Sequence, residues 1–284
     1  VEGCPIQYTI TEKEIQGYKA DNAVKTFTFV TPAGDMADQV VTFTNTKMTE
    51  KPFTVHKTWV GEPASKVSFG LFDGTNKVDT LELSSKDVKA PAQTQALWEG
   101  TFNGEYPEYK LVGGNAEKIQ YEVKELDASG NSVSDEVKLE DRTFKVVGTP
   151  AQDTPNTYNF TNTDITKTDI SVTKIWLGKV PMYQLVKFGL FKETSEGLVN
   201  VSYDTKIDRT NASKWVVSYK DVPAVDENGN KIKYVIKEVY GDTPDVVRSG
   251  DIVTLGNVNY KVSYDDKGNI TNTELINLTV NKEW

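Results

Sequence analysis

Cysteine and histidine are almost missing from this chain: Cys4 and His56 are the single copies of each. One thiol excludes an intrachain disulfide and a cysteine-based metal cage. One imidazole removes most layouts of a histidine-dependent triad. A basic surplus is lacking as well. The formal net charge is -9 and no basic patch with interleaved aromatics is visible, which argues against nucleic acid as a partner. No apolar run approaches the ~18 residues of a membrane span, so membrane insertion is not expected. No signal peptide, transit segment or sorting tail is recognisable, which reads as a mature fragment or an excised piece. Low cysteine suits the cytosol and equally suits surface proteins stiffened by another device. Asp226-Glu227-Asn228-Gly229 lacks the spacing and terminal glutamate of a calcium loop and reads as a hairpin turn. Neither a metal nor a cofactor is expected.

What is present is repetition. His56-Lys57-Thr58-Trp59 matches Thr173-Lys174-Ile175-Trp176, and Ser68-Phe69-Gly70-Leu71-Phe72 matches Lys187-Phe188-Gly189-Leu190-Phe191. Trp98 follows Lys57 at the interval by which Trp215 follows Lys174. Tyr121-Glu122-Val123-Lys124-Glu125 matches Tyr234-Val235-Ile236-Lys237-Glu238, and Phe160-Thr161-Asn162-Thr163 matches Ile270-Thr271-Asn272-Thr273. Two complete repeats are therefore expected over 47–164 and 165–274. Residues 1–46 read as the C-terminal half of a repeat and residues 275–284 as the first strand of another. Short runs rich in Val, Ile, Thr, Tyr and Phe alternate in polarity between turn signals such as Ser129-Gly130-Asn131 and Glu227-Asn228-Gly229-Asn230, so the expected fold is all-β: β-sandwich modules in tandem, joined into a rod by short polar linkers at Lys47 to Pro52, Asp164 to Asp169 and Glu274 to Asn277. No stretch has a convincing helical stripe.

Strand periodicity exposes an oddity. Phe53, Val55, Lys57 and Trp59 share one face, and so do Ile170, Val172, Lys174 and Trp176, and Leu278, Val280, Lys282 and Trp284. A lysine in an apolar face is costly, because its ammonium leaves water. Glutamate and asparagine join it. Glu125 shares a face with Ile119, Tyr121 and Val123; Glu238 with Ile232, Tyr234 and Ile236; Glu12 with Ile6, Tyr8 and Ile10. Asn162, Asn272 and Asn45 end the apolar stripe of the last strand in each repeat. The bland alternatives are a lysine that snorkels to solvent, a strand-end carboxylate and a turn asparagine. Recurrence of all three in register favours their meeting. Burial lowers a lysine's pKa and raises a glutamate's, so the pair can exist as neutral amine and neutral acid. A neutral amine is a nucleophile, and the acid can polarise the asparagine carbonyl and shuttle protons. Attack on the side-chain amide with loss of ammonia would leave a Lys–Asn isopeptide bond, helped by proximity. Each site would react once, so the chain is not expected to be an enzyme.

Val172-Thr173-Lys174-Ile175-Trp176, Tyr234–Glu238 and Ile270–Thr273, with their first-repeat counterparts, resemble tandem B-type repeats of the Gram-positive collagen adhesin, shared with sortase-assembled pilins. Residues 8–18 resemble the glutamate-containing box of pilin subunits. The resemblance implies an immunoglobulin-like fold of reversed strand order with a bond between its first and last strands. It assigns Lys57, Glu125 and Asn162 to one trio and Lys174, Glu238 and Asn272 to another, with Glu125 and Glu238 as proton shuttles. Glu12, Asn45 and Lys282 belong to incomplete outer sites. Lys282 could cross to Glu12 and Asn45 of a neighbouring chain, against which stands the lack of middle strands. Tyr106-Pro107 is followed by Glu108, so no pilin-type linking lysine is seen there. The function implied is a structural stalk of a cell-wall-anchored surface adhesin or pilus. Its partners would be adjoining repeats and, through a tip elsewhere, host extracellular matrix. The alternative is a binding module whose sandwiches recognise matrix protein or glycan; a hydrolase is poorly supported. Trp59, Trp98, Trp176 and Trp215 read as core aromatics, His56 as exposed, and Cys4 as a free thiol rather than a surface thioester.

Overall fold

Alternating β-branched, aromatic and polar residues pack well on a pleated, half-buried surface. In the computed structural model they form strands β1 to β25 among the described residues, which are 6–22, 24–29, 40–49, 52–91, 96–113, 115–240, 245–276 and 278–283. Helix is confined there to two 3-10 turns, Ser85–Asp87 and Tyr183–Leu185. The chain divides into two compact units, residues 1–141 with 145–162, and residues 142–144 with 163–284.

Four strands come first: β1 (Ile6–Thr11), β2 (Tyr18–Ala20), β3 (Val24–Phe29) and β4 (Asn45–Lys47). The first sandwich contains β5 (Phe53–Val60), β6 (Lys66–Asp73), β7 (Asn76–Ser84), β8 (Val88–Pro91) and β9 (Ala96–Phe102). After a side hairpin of β10 (Tyr109–Val112) and β11 (Asn115–Lys118), it is completed by β12 (Tyr121–Leu126), β13 (Glu136–Leu139), β14 (Arg142–Pro150) and β15 (Thr157–Asp164). One sheet has the order β13-β14-β15-β5-β9-β8 and the other β12-β6-β7. Their inner faces meet through aromatic rings: Phe69 against Phe160 at 4.9 Å and Phe53 against Tyr121 at 5.1 Å between centroids.

The second sandwich runs through β16 (Lys167–Leu177), β17 (Lys187–Thr194), β18 (Gly197–Val201), β19 (Lys206–Asn211) and β20 (Lys214–Pro223). It continues with β21 (Tyr234–Tyr240), β22 (Asp245–Val246), β23 (Ile252–Leu255), β24 (Val258–Tyr264) and β25 (Ile270–Glu274). Its sheets are β19-β20-β16-β25-β24-β23 and β18-β17-β21-β22. First strand β16 and last strand β25 are neighbours and run parallel, with Lys174 opposite Ile270 and Trp176 opposite Asn272. Trp176, Trp215, Val217 and Tyr219 from one sheet pack on Phe188, Leu190 and Ile236 from the other. In each sandwich two tryptophans meet edge to face, Trp59 with Trp98 at 5.2 Å and Trp176 with Trp215 at 5.3 Å.

The repeated Phe-Gly-Leu-Phe motif has a steric cause. A Cβ on Gly70 would lie 2.6 Å from the ring of Phe72, and one on Gly189 would lie 2.8 Å from that of Phe191. The turns expected at Ser129–Asn131 and Glu227–Asn230 are closed alike: Asp127 and Asp226 each accept backbone N–H groups two and four residues on.

Three expectations need correction. The linker expected over Asp164–Asp169 is shorter, since β15 ends at Asp164 and β16 begins at Lys167. Asp164 accepts hydrogen bonds from the Thr166 N–H and hydroxyl and is thereby tucked in. His56 is half-buried rather than exposed, its Nε2 3.0 Å from Glu99 and its Nδ1 3.2 Å from Asn159 Oδ1. Finally, the apolar stripe of β1 does not face a core: Tyr8 is 49% and Ile10 43% exposed. In the complete sandwiches the equivalent strands β12 and β21 pair with β6 and β17, whereas β1 pairs with β3 and β2 with β4 in two-stranded ribbons. Among the described residues β1 has no partner equivalent to β6, and its backbone is satisfied by β3.

Candidate functional site: a buried lysine–glutamate–asparagine trio in each sandwich

Lys57, Glu125 and Asn162 are each 0% exposed, as are Lys174 and Asn272, with Glu238 at 2%. The topology brings them together. β5 alternates inward and outward along its whole length, so Lys57 shares its inner face with Val55 and Trp59. Asn162 comes from the adjacent last strand, β15, on the same sheet. Glu125 comes from the facing sheet, opposite Phe69 on β6. The second sandwich repeats the plan, with Glu238 opposite Phe188 on β17.

One carboxylate bridges both partners. Lys57 Nζ donates to Glu125 Oε2 at 2.7 Å, and Asn162 Nδ2 donates to Glu125 Oε1 at 2.6 Å. In the second site Lys174 Nζ lies 2.7 Å from Glu238 Oε2 and Asn272 Nδ2 lies 3.1 Å from Glu238 Oε1. Neither asparagine Oδ1 has a hydrogen-bond partner. A buried acceptor left so costs roughly 1–3 kcal/mol.

Burial lowers the pKa of Lys57 to about 8, against the opposing pull of the Glu125 charge and hydrogen bond. Burial does the same at Lys174, also to about 8, opposed by Glu238. About a tenth of each amine is therefore neutral near pH 7, far more than for a lysine in water. Indole rings cover the ammonium groups, with Lys57 Nζ 4.7 Å from the Trp59 centroid and Lys174 Nζ 4.3 Å from that of Trp176.

The outer residues divide. Asn45 Nδ2 donates to Glu12 Oε1 at 2.7 Å, the contact that Asn162 makes with Glu125. Lys282 is exposed, in residues 278–283 that take no regular structure. Cys4 and Trp284 lie outside the described residues. Among the described residues no group of three or more His, Cys, Asp or Glu could hold a metal, and no helix is long and apolar enough to cross a membrane.

One contributor escaped the sequence pattern. Tyr264 Oη accepts from the Glu238 backbone N–H at 3.2 Å and donates to the Val247 carbonyl at 2.9 Å. Its cross-strand partner is Ile270. In the first sandwich Gly148 lies against Phe160, where a Cβ on the glycine would come within 2.3 Å of the phenylalanine ring. The large ring thus sits on β24 in one module and on the last strand in the other. Only comparison of the two repeats position by position reveals this exchange.

Residues 170–273 match the family model described as Cna protein B-type domain. No curated protein matches the chain. Among solved structures, the pilus adhesin SpaC of Lactobacillus rhamnosus GG aligns at 12% identity and a TM-score of 0.27, over 95% of this chain and 39% of its own. Shaft pilin spaA of the same organism aligns at 14% identity and a TM-score of 0.19, over 81% of this chain and 100% of its own. The fimbrial anchor protein Mfa2 of Porphyromonas gingivalis aligns at 11% identity and a TM-score of 0.23, over 69% of this chain and 81% of its own. These scores are too low to carry a functional argument, and the chain spans well under half of the pilus adhesin. The family match is confined to residues 170–273, the stretch that forms the second sandwich.

Proposed function

We propose that this chain is a load-bearing stalk segment of a Gram-positive cell-surface adhesin or pilus, in which each complete sandwich is closed by a Lys–Asn isopeptide bond. The observation that carries the reading is the doubled trio, in which one buried carboxylate holds an amine by one oxygen and an amide nitrogen by the other. The chemistry follows from that bridge. Neutral Lys57 attacks Asn162 Cγ; the new N–C bond replaces the Cγ–Nδ2 bond. Glu125 takes the surplus amine proton and passes that proton to the departing Nδ2, so that ammonia leaves and the carboxylate is regenerated. Lys174, Glu238 and Asn272 repeat this once in the second module. Single turnover makes the chain its own substrate.

Position turns the bond into a mechanical device. β16 and β25 are the first and last strands and lie side by side in parallel. A bond from Lys174 to Asn272 would pass tension across the module and shield the strands between. Closing a loop of roughly 100 residues would also add up to ~4–5 kcal/mol by restricting the unfolded chain, on the analogy of a disulfide. Repeats 47–164 and 165–274, with partial repeats at 1–46 and 275–284, fit a stalk built of identical links. Such a stalk would act outside the cell, with adjoining repeats as partners and host matrix met elsewhere. Intact-mass measurement tests the chemistry: two ammonia molecules should be missing, with Lys57→Ala and Lys174→Ala each restoring one. Full mass in the unaltered protein would refute it.

A further inference from the structure

The ring donors around the second trio are committed elsewhere, with one exception among those named here. Tyr264 Oη donates to the Val247 carbonyl, Tyr260 Oη to the Lys179 carbonyl at 2.6 Å, and Trp215 Nε1 to the Ala212 carbonyl at 3.0 Å. Trp176 differs. Its side chain is buried, yet its Nε1 has no hydrogen-bond partner. Buried indole N–H groups ordinarily find an acceptor, and leaving one unpaired is costly. An unpaired acceptor stands on the neighbouring strand: Asn272 Oδ1, also buried and without a partner. Trp176 and Asn272 are cross-strand partners on parallel β16 and β25, and both belong to the buried face.

The chemistry of the trio has a use for this pair. Both oxygens of Glu238 are engaged, one by the lysine and one by the amide nitrogen, so the carbonyl oxygen draws no help from the carboxylate. When Lys174 Nζ adds to Asn272 Cγ, the π pair of the carbonyl moves onto Oδ1, which becomes an oxyanion. A donor that is unpaired in the ground state and bonded only to that oxyanion spends its whole strength on lowering the barrier. The same indole already touches the nucleophile, since Lys174 Nζ lies 4.3 Å from its ring centroid. Ring face and ring edge would then serve the two reacting groups separately.

We propose that the Trp176 indole N–H is the oxyanion donor for closure of the second sandwich, which makes Trp176 a catalytic residue of its single turnover. Lys174 Nζ bonds to Asn272 Cγ, and Oδ1 takes the displaced pair and accepts the indole N–H. The pair returns as the Cγ–Nδ2 bond breaks, and Nδ2 leaves as ammonia with the amine's proton carried to it by Glu238. The indole keeps its own proton throughout. Trp59, 4.7 Å from Lys57 Nζ, holds the same station in the first sandwich and is assigned the same part there. The inference rests on the isopeptide reading of the two trios.

The test needs the full chain caught before closure: cell-free translation quenched in acid at intervals, with ammonia loss from each module read by peptide mass. Replacing Trp176 with benzothienylalanine keeps the shape and π face of the indole and exchanges its N–H for sulfur. Second-module closure should slow by ~10²-fold, while the first module closes at its ordinary rate as an internal reference. Fluorotryptophan at the same position keeps the N–H and should close at nearly the native rate. In a Lys174→Met background, where no bond forms, benzothienylalanine should leave the second module's urea midpoint no lower, because the N–H it removes had no partner. Unchanged closure with benzothienylalanine, equal slowing by fluorotryptophan, or a fall in that midpoint overturns the donor role. If the unaltered chain keeps both ammonia molecules, the isopeptide reading fails; if it loses both and the benzothienylalanine chain closes at the native rate, this inference alone fails.

Discussion

Asn162→Ala offers a way to see the buried lysine by itself. The substitution removes the electrophile, so the first module stays unbonded and Lys57 remains a free amine facing Glu125. Its folded pKa of about 8 lies below the 10.5 of an unconstrained lysine. Between those values the unfolded chain binds more protons than the folded one, so stability rises with pH. The contribution is absent below pH 8 and fully gained near 10.5. At 1.36 kcal/mol for each unit, raising the pH from 8 to 9.5 should stabilise the module by roughly 2 kcal/mol. Tyr106, held at about 12 by burial and by Asp79, acts oppositely only once its unfolded counterpart ionises near pH 10, which fixes the upper limit. Scanning calorimetry should therefore show one transition in Asn162→Ala moving to higher temperature across this window while the bonded second module holds its place. Lys57→Met is the control: it also forbids the bond but removes the titrating group, and its first-module transition should lack the rise. Equal slopes in the two variants would refute the assignment of a desolvated lysine to this core.

Glu238→Ala should leave the Lys174–Asn272 ammonia in place and the first module closed, read as a deficit of one ammonia by intact mass. Tyr264→Phe removes the acceptor of the Glu238 N–H; second-module closure should slow and its stability fall by about 1–2 kcal/mol in denaturant titration, with the first module unchanged. Gly148→Ala should cost about 1–3 kcal/mol through its clash with Phe160. Combining it with Phe160→Ile, which copies the smaller residue of the second module, should cost less than the sum, a coupling that a double-mutant cycle in urea would measure.

The inward lysines were legible because strand period is strict: any residue two places from Val55 and Trp59 must share their face, whatever its charge. Glu125 and Asn162 were found by the same rule, and their convergence follows once a first strand lies beside a last one. Where the rule failed, a partner was missing. Tyr8 and Ile10 carry the same alternation as Val123 and Ile236, yet face solvent, and among the described residues no strand pairs with β1 as β6 and β17 pair with their counterparts. Periodicity tells which side chains point together, and only the rest of the sheet decides whether they point inward. Tyr264 failed for another reason. Its role depends on volume traded between neighbouring strands, and a single repeat read alone contains no sign of that trade. His56 was misjudged because the outer face of β5 is not bare: Glu99 and Asn159 stand beside it.

On the proposed reading, the energetics of the trio would couple bond formation to folding. Before reaction each core holds an amine stripped of water and an asparagine oxygen with no donor, both unfavourable to an ordinary sandwich. Replacing such groups by well-packed apolar residues is often neutral or stabilising, so stability alone gives no reason for their presence. The proposed reaction would change the balance, since the ammonium would become an amide nitrogen that carries no charge. The cost of burying the amine is the same free energy that would make it nucleophilic, and it would be relieved only in the product. A chain that buried this lysine without the asparagine within reach would carry the penalty permanently.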